Sequence, residues 1–161
     1  MALPATIRSF APEPIVSALA ISLLVNGFGV AGNAAFMHDE ARDILSLGVV
    51  LVGAALALWI GLFWISSSDF GLWLSAKRVM ERINAAYIAS TVILLVGCVL
   101  CILCAHVSPT HAMLQLTGEF FAIYGLSTLA TLLNNTRMLL KLHGEYERQR
   151  RPVTEIRSGT R

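Results

Sequence analysis

Charge is scarce in this chain: of its 161 residues only 14% are Asp, Glu, Lys or Arg, against about 25% in an ordinary soluble domain. With 56% hydrophobic residues and a mean hydropathy of +0.69, that shortage excludes a water-soluble globular domain. The chain also lacks the ten-residue alternation of outer-membrane barrel strands, so its apolar runs read as helices. Cysteine is limited to Cys98, Cys101 and Cys104, a CxxCxxC whose residues, three apart on a helix, hold their Cβ atoms about 5 to 6 Å apart, too far for a disulfide. No strand-turn-helix setting accompanies any nucleotide motif, no catalytic constellation is present, and nothing suggests a nucleic-acid partner.

What the chain does have is long uncharged runs. The hydrocarbon layer is about 30 Å thick and takes about 20 helical residues to cross. Residues 14–37, 44–65, 85–105 and 112–133 each meet that length; the first three hold no charged side chain and the fourth holds only Glu119. The expected fold is therefore all-α: an integral membrane protein with four transmembrane helices in an antiparallel bundle over residues 1–144. A basic and flexible cytoplasmic tail is expected over 145–161. Ile15 to Val25 could serve as the apolar part of a signal peptide, with Gly32 and Ala34 as a small-residue cleavage site. Pro4, Pro12, Glu13 and Pro14 interrupt the stretch before it, and the run continues to Met37, so a span is the better reading.

Eleven of the twelve Lys and Arg residues fall on one side of these spans. Lys77, Arg78 and Arg82 lie between the second and third; Arg137, Lys141, Arg148, Arg150, Arg151, Arg157 and Arg161 follow the fourth; Arg8 precedes the first. Basic residues in short loops stay in the cytoplasm, so both termini are expected there, in a bacterial inner membrane. The opposite side offers Arg42 against Asp39, Glu40 and Asp43 in an expected first loop. Leu72, Trp73, Ala76, Val79, Met80 and Ile83 recur at helical spacing, predicting a short amphipathic cytoplasmic helix between the second and third spans. Lys77, Arg78, Arg82, Arg148, Arg150 and Arg151 are the expected contacts with anionic lipid or a partner.

Gly27, Gly29 and Gly32 spell GxGxxG, yet they sit within an apolar span and suit close helix packing. Ser22, Asn26, Gly29 and Asn33 follow steps of four, three and four and so form one polar stripe along the first helix. Thr117, Phe121, Tyr124, Thr128, Thr131 and Asn135 form another on the fourth. Facing one another inside the bundle, these stripes would supply interhelical hydrogen bonds or line a path for a small solute. Gly53, Ala57 and Gly61 make a small-residue ladder suited to an internal or a homodimer contact. Ser90, Leu94, Gly97, Cys101 and Cys104 share one seam of the third helix, where cysteine acts as a small apolar residue.

Glu119 is the ionisable residue well inside a predicted span, which makes it a candidate ion or proton site. His38, His106 and His111 gather near the outer side with Asp39, Glu40, Cys104 and Glu119, a weak lead towards zinc, copper or haem ligation. No pair has a metal-site spacing, so no cofactor is expected. The leading functional expectation is an accessory or oligomeric interaction subunit of a membrane complex, with the bilayer and a protein partner or second copy as its contacts. The alternatives are a small transporter or channel, or a metal- or haem-binding redox subunit.

Overall fold

The computed structural model describes residues 12–158, with their side chains over 13–150. The described residues form α1 (Pro12–Ser66), α2 (Asp69–Ala76), α3 (Val79–His106) and α4 (Ala112–Ser158), with short connections and no strand. α1, α3 and α4 are each long and apolar enough to cross a membrane. Their outward faces carry large hydrophobic side chains such as Phe63, Trp64, Leu23 and Met113, as lipid-facing surfaces require.

α1 departs from expectation in two places. Residues 38–43 are helical, so the expected loop between Met37 and Ile44 does not exist. The irregular backbone lies instead at Gly29, with φ of 74° and ψ of 165°, a region open essentially to glycine alone. A straight helix of this length would measure about 80 Å, far beyond the bilayer. Gly29 divides it into two limbs with different neighbours. The first limb touches α4 at Thr131 through Glu13, and its Ile21 lines a cavity together with Phe120 of α4. The second follows α3, meeting Cys104 through His38, Cys98 through Gly48 and Asn84 through Trp59.

The serines at and after the end of α1 explain its stop. Ser66, Ser67 and Ser68 each turn a hydroxyl back onto a carbonyl of the preceding turn. Ser68 also caps α2, accepting from the Gly71 amide at 3.1 Å. A Cβ at Gly71 would collide with the backbone of Ile65 and Ser66, so this tight turn needs glycine. The expected amphipathic helix over Leu72 to Ile83 is broken at Arg78, whose left-handed backbone (φ 55°) separates α2 from α3. Gly144 does not stop α4: the helix runs on to Ser158, so the expected flexible tail from 145 is helical through that residue. Gly costs a helix only about 1 kcal/mol, and the packing of Leu139, Leu142 and Tyr146 against α2 and α3 outweighs it.

Two apolar cores hold the helices together. The larger gathers Leu62, Phe70, Leu74, Ile83, Tyr87, Leu132 and Leu142 near α2. There Phe70 stacks among Trp73, His143 and Tyr146, Tyr87 bonds Thr136 at 2.6 Å, and Trp59 donates to Asn84 at 2.7 Å. The smaller core, Met37, Ala41, Cys101 and Cys104, lies at the other end.

Candidate functional site

α3 and α4 approach closely because glycines meet side chains or backbone across their interface. Gly97 faces the Phe121 backbone, Gly118 faces Cys104 and Met37, and Gly125 faces Leu94. The end of α3 is fixed by side chains: the Cys104 carbonyl accepts from His38 Nδ1 at 2.9 Å and from Gln115 Nε2 at 3.1 Å. Gln115 also donates to Val107 at 3.2 Å. These bonds satisfy carbonyls that a helix C-terminus leaves unpaired.

Between these tight contacts and the two limbs of α1 a groove remains. One part, with a cavity volume of about 220 Å³, is lined by Phe36, Met37, Leu94, Cys98, Phe121 and Glu119 among others. A second part, about 360 Å³, is lined by Leu24, Phe28, Gly32, Asn33, Phe36 and Glu119. Leu24, Phe36 and Glu119 belong to both, so the two parts adjoin. The walls are apolar except at Asn33 and Glu119. Glu119 is 5% exposed and Asn33 is 3% exposed; Glu119 Oε2 and Asn33 Nδ2 have no hydrogen-bond partner. An apolar cavity with a few convergent polar groups is the form that small-molecule sites take.

A second buried carboxylate, on α1, lies against a later turn of α4. Glu13, 5% exposed, accepts a hydrogen bond from Thr131 through Oε1, while its Oε2 has no partner. Tyr124 lies within electrostatic reach of it. Ser17, one turn on, is buried and donates to the Glu13 carbonyl at 2.9 Å. In sequence Glu13 precedes the uncharged run and reads as its flank. The spacing of Glu13 and Ser17, one helical turn apart, was the available signal.

The predicted polar stripes are only partly interior. On α4, Thr128 and Asn135 are buried and Tyr124 and Thr131 half-buried, whereas Thr117 is exposed. On α1, Asn33 is buried but Ser22 and Asn26 are exposed. The stripe presumed a continuous helix, and the Gly29 break rotates Asn33 out of phase with Ser22 and Asn26. Gly53, Ala57 and Gly61 are likewise exposed, so their ladder is not an internal contact of the single chain. Ser90, Leu94, Gly97, Cys101 and Cys104 on α3 are buried.

The outer histidines do not converge. His38 is held by Cys104, His106 Nδ1 bonds the carbonyl of Ile102 in its own helix at 2.8 Å, and His111 is exposed before α4. Among the described residues no three His, Cys, Asp or Glu side chains gather as metal ligands, and Cys98, Cys101 and Cys104 are free thiols. Of the basic residues, Lys77, Arg78, Arg82, Arg148 and Arg150 are exposed. Lys77 lies 4.2 Å above the Trp73 ring and Arg150 pairs with Asp69 at 3.3 Å. The side chain of Arg151 and all of Arg8 lie outside the described residues.

Comparison with protein-family models, curated proteins and solved structures gives no match. The chemistry of the groove therefore carries the functional reading: two unpartnered polar groups at one place, apolar walls elsewhere.

Proposed function

We propose that this chain is a small inner-membrane protein that binds, and in doing so carries, a small lipid-soluble molecule in the groove around Glu119. The observation that carries this reading is Glu119 itself: a buried carboxylate with an unpartnered oxygen, set in apolar walls within a helix able to cross the membrane. An ionisable group in such a place is costly to keep and usually marks function. The chain crosses the bilayer four times in antiparallel order, the first crossing made by the limb before Gly29. Both termini and α2 face the cytoplasm, in keeping with the exposed cations Lys77, Arg78, Arg82 and Arg148. Asp39, Glu40, Arg42 and Asp43 form an exposed charged belt at the outer boundary.

The test is untargeted mass spectrometry of organic extracts from protein purified out of its native membrane. Ala122 lines the groove, so Ala122→Phe fills it. A molecule present with the wild type and depleted in the variant supports the reading; identical extracts contradict it.

A second reading, an oligomeric or accessory interaction subunit, draws on a separate observation. Ser22, Asn26, Gly53, Ala57 and Gly61 are exposed on otherwise apolar limbs, where a neighbouring helix could pack closely and pair with Asn26. Cysteine crosslinking at Asn26 in native membranes checks it: a crosslinked dimer or heteromer supports an interface there, and a monomer under all conditions removes it.

A further inference from the structure

Resting on the proposal that the groove is a binding site, we infer that its ligand is a lipophilic amine, taken up as the ammonium ion and held by Glu119. Three features of the groove converge on that class.

The first is charge. Glu119 is buried to 5% exposure and Oε2 has no partner. Among the described residues no ion pair reaches it; the salt bridge formed there, Arg150 with Asp69, involves α2 and the far part of α4. A carboxylate left alone in a low-dielectric site is unfavourable, and a cation brought by the ligand removes that cost. An anionic ligand would add a like charge, and a neutral one would bring no cation for the carboxylate to attract.

The second is hydrogen bonding. An ammonium offers three donors and no acceptor, and ammonium–carboxylate bonds are among the stronger ones available to a protein. Asn33, 3% exposed and with an unpartnered amide nitrogen, lines the same part of the groove. Its amide nitrogen is a donor and does not pair with an ammonium, so the acceptor for the amine at this end is the Glu119 carboxylate.

The third is shape and solvent. The remaining walls, Leu24, Phe36, Leu94 and Phe121, are apolar, and the cavity volumes of about 220 and 360 Å³ lie on either side of the shared Glu119. An alkyl or aromatic body lies along these walls while its amine stays at Glu119. A compact inorganic cation would leave the walls empty and would gain nothing from them.

The experiment uses the full-length protein in nanodiscs and three radiolabelled probes with the same apolar body: decylamine, decanol and decanoate. Binding above that of empty nanodiscs is measured by scintillation proximity, for wild type, Glu119→Gln and the groove-filling Ala122→Phe. Far-ultraviolet circular dichroism and a monodisperse elution profile establish that each variant is folded. The inference predicts saturable decylamine binding that weakens by about tenfold or more in Glu119→Gln, the loss expected for one charge-assisted bond, and that disappears in Ala122→Phe. Decanol and decanoate bind at least about tenfold more weakly to the wild type on the same grounds. If decanol binds as tightly as decylamine, and equally to wild type and Glu119→Gln, the amine assignment is overturned while the groove stands as a binding site. If no probe binds saturably, or binding is the same in Ala122→Phe, the groove itself is not the site and both readings fall.

Discussion

Glu13, in the first turn of α1, accepts a hydrogen bond from the hydroxyl of Thr131 on α4, a residue 118 positions further along the chain. It fastens the first limb to the bundle through a polar pair, while further along the limb Ala18 and Ile21 line a cavity with Leu116 and Phe120 of α4. Thr131→Val keeps the shape and removes the donor. Interhelical hydrogen bonds in membranes contribute about 0.6 to 2 kcal/mol, so the variant is expected to lose about 1 kcal/mol in reversible detergent unfolding. No change in the unfolding midpoint would mean that the pair contributes nothing to holding the limb.

Gly29 allows the first limb to reach Thr131 at all. Its backbone angles are open to glycine and cost other residues on the order of 1–3 kcal/mol, so Gly29→Ala favours a straighter helix. The expected readout is a disulfide between cysteines introduced as Glu13→Cys and Thr131→Cys, in a chain whose native cysteines are replaced. It forms with Gly29 and is lost or slowed with Gly29→Ala; equal yields would contradict the role given to the break.

His38 and Gln115 share the Cys104 carbonyl at 2.9 and 3.1 Å. Because this ends α3 in a mostly apolar setting, loss of both donors leaves a buried acceptor unpaired, at about 1–3 kcal/mol. His38→Ala alone is expected to cost less than the double variant with Gln115→Leu, since the remaining donor still serves the carbonyl. Thermal unfolding of the single and double variants checks this order, and equal losses would show that Gln115 does not serve the carbonyl once His38 is gone.

At the other end, magnitudes separate two contacts of α2. The Asp69–Arg150 pair is exposed, 58% at Arg150 and 69% at Asp69, and such pairs contribute about 0 to 1 kcal/mol. Phe70 is 6% exposed and packs on Trp73, His143 and Tyr146, and truncating a buried Phe costs about 3 kcal/mol or more. Asp69→Asn should therefore leave stability nearly unchanged, while Phe70→Ala should release α2 from α4, seen as faster amide exchange over residues 69–76. The reverse order would show that charge, not ring packing, seats α2.

Much of the helical framework was legible because lipid imposes a simple rule: long uncharged runs become helices. The buried face of α3, from Ser90 through Leu94 and Gly97 to Cys104, followed from its spacing alone. The break in α1 did not. Asp39, Glu40, Arg42 and Asp43 suggested a loop, but a helix at a membrane boundary can carry charges on an exposed face without unwinding. Gly27, Gly29 and Gly32 look alike in sequence, and only the packing on either side decides that Gly29 takes the positive φ. That choice changed the site: it exposed Ser22 and Asn26, buried Asn33, and brought Leu24 and Phe28 to Glu119. Glu119 was legible as an isolated acid within a span, whereas the groove around it depends on limbs distant in sequence.

That Glu119 lines a groove open to lipid-soluble molecules is tested most directly by modification with a hydrophobic carbodiimide. Such a reagent dissolves in the bilayer and couples to a carboxyl group it can reach. Peptide mapping by mass spectrometry of the full-length protein in native membranes should find the adduct on Glu119, and little of it on Glu13, which does not line the groove. Ala122→Phe should suppress the adduct. An unmodified Glu119, or equal modification of Glu119 in wild type and Ala122→Phe, would contradict the account.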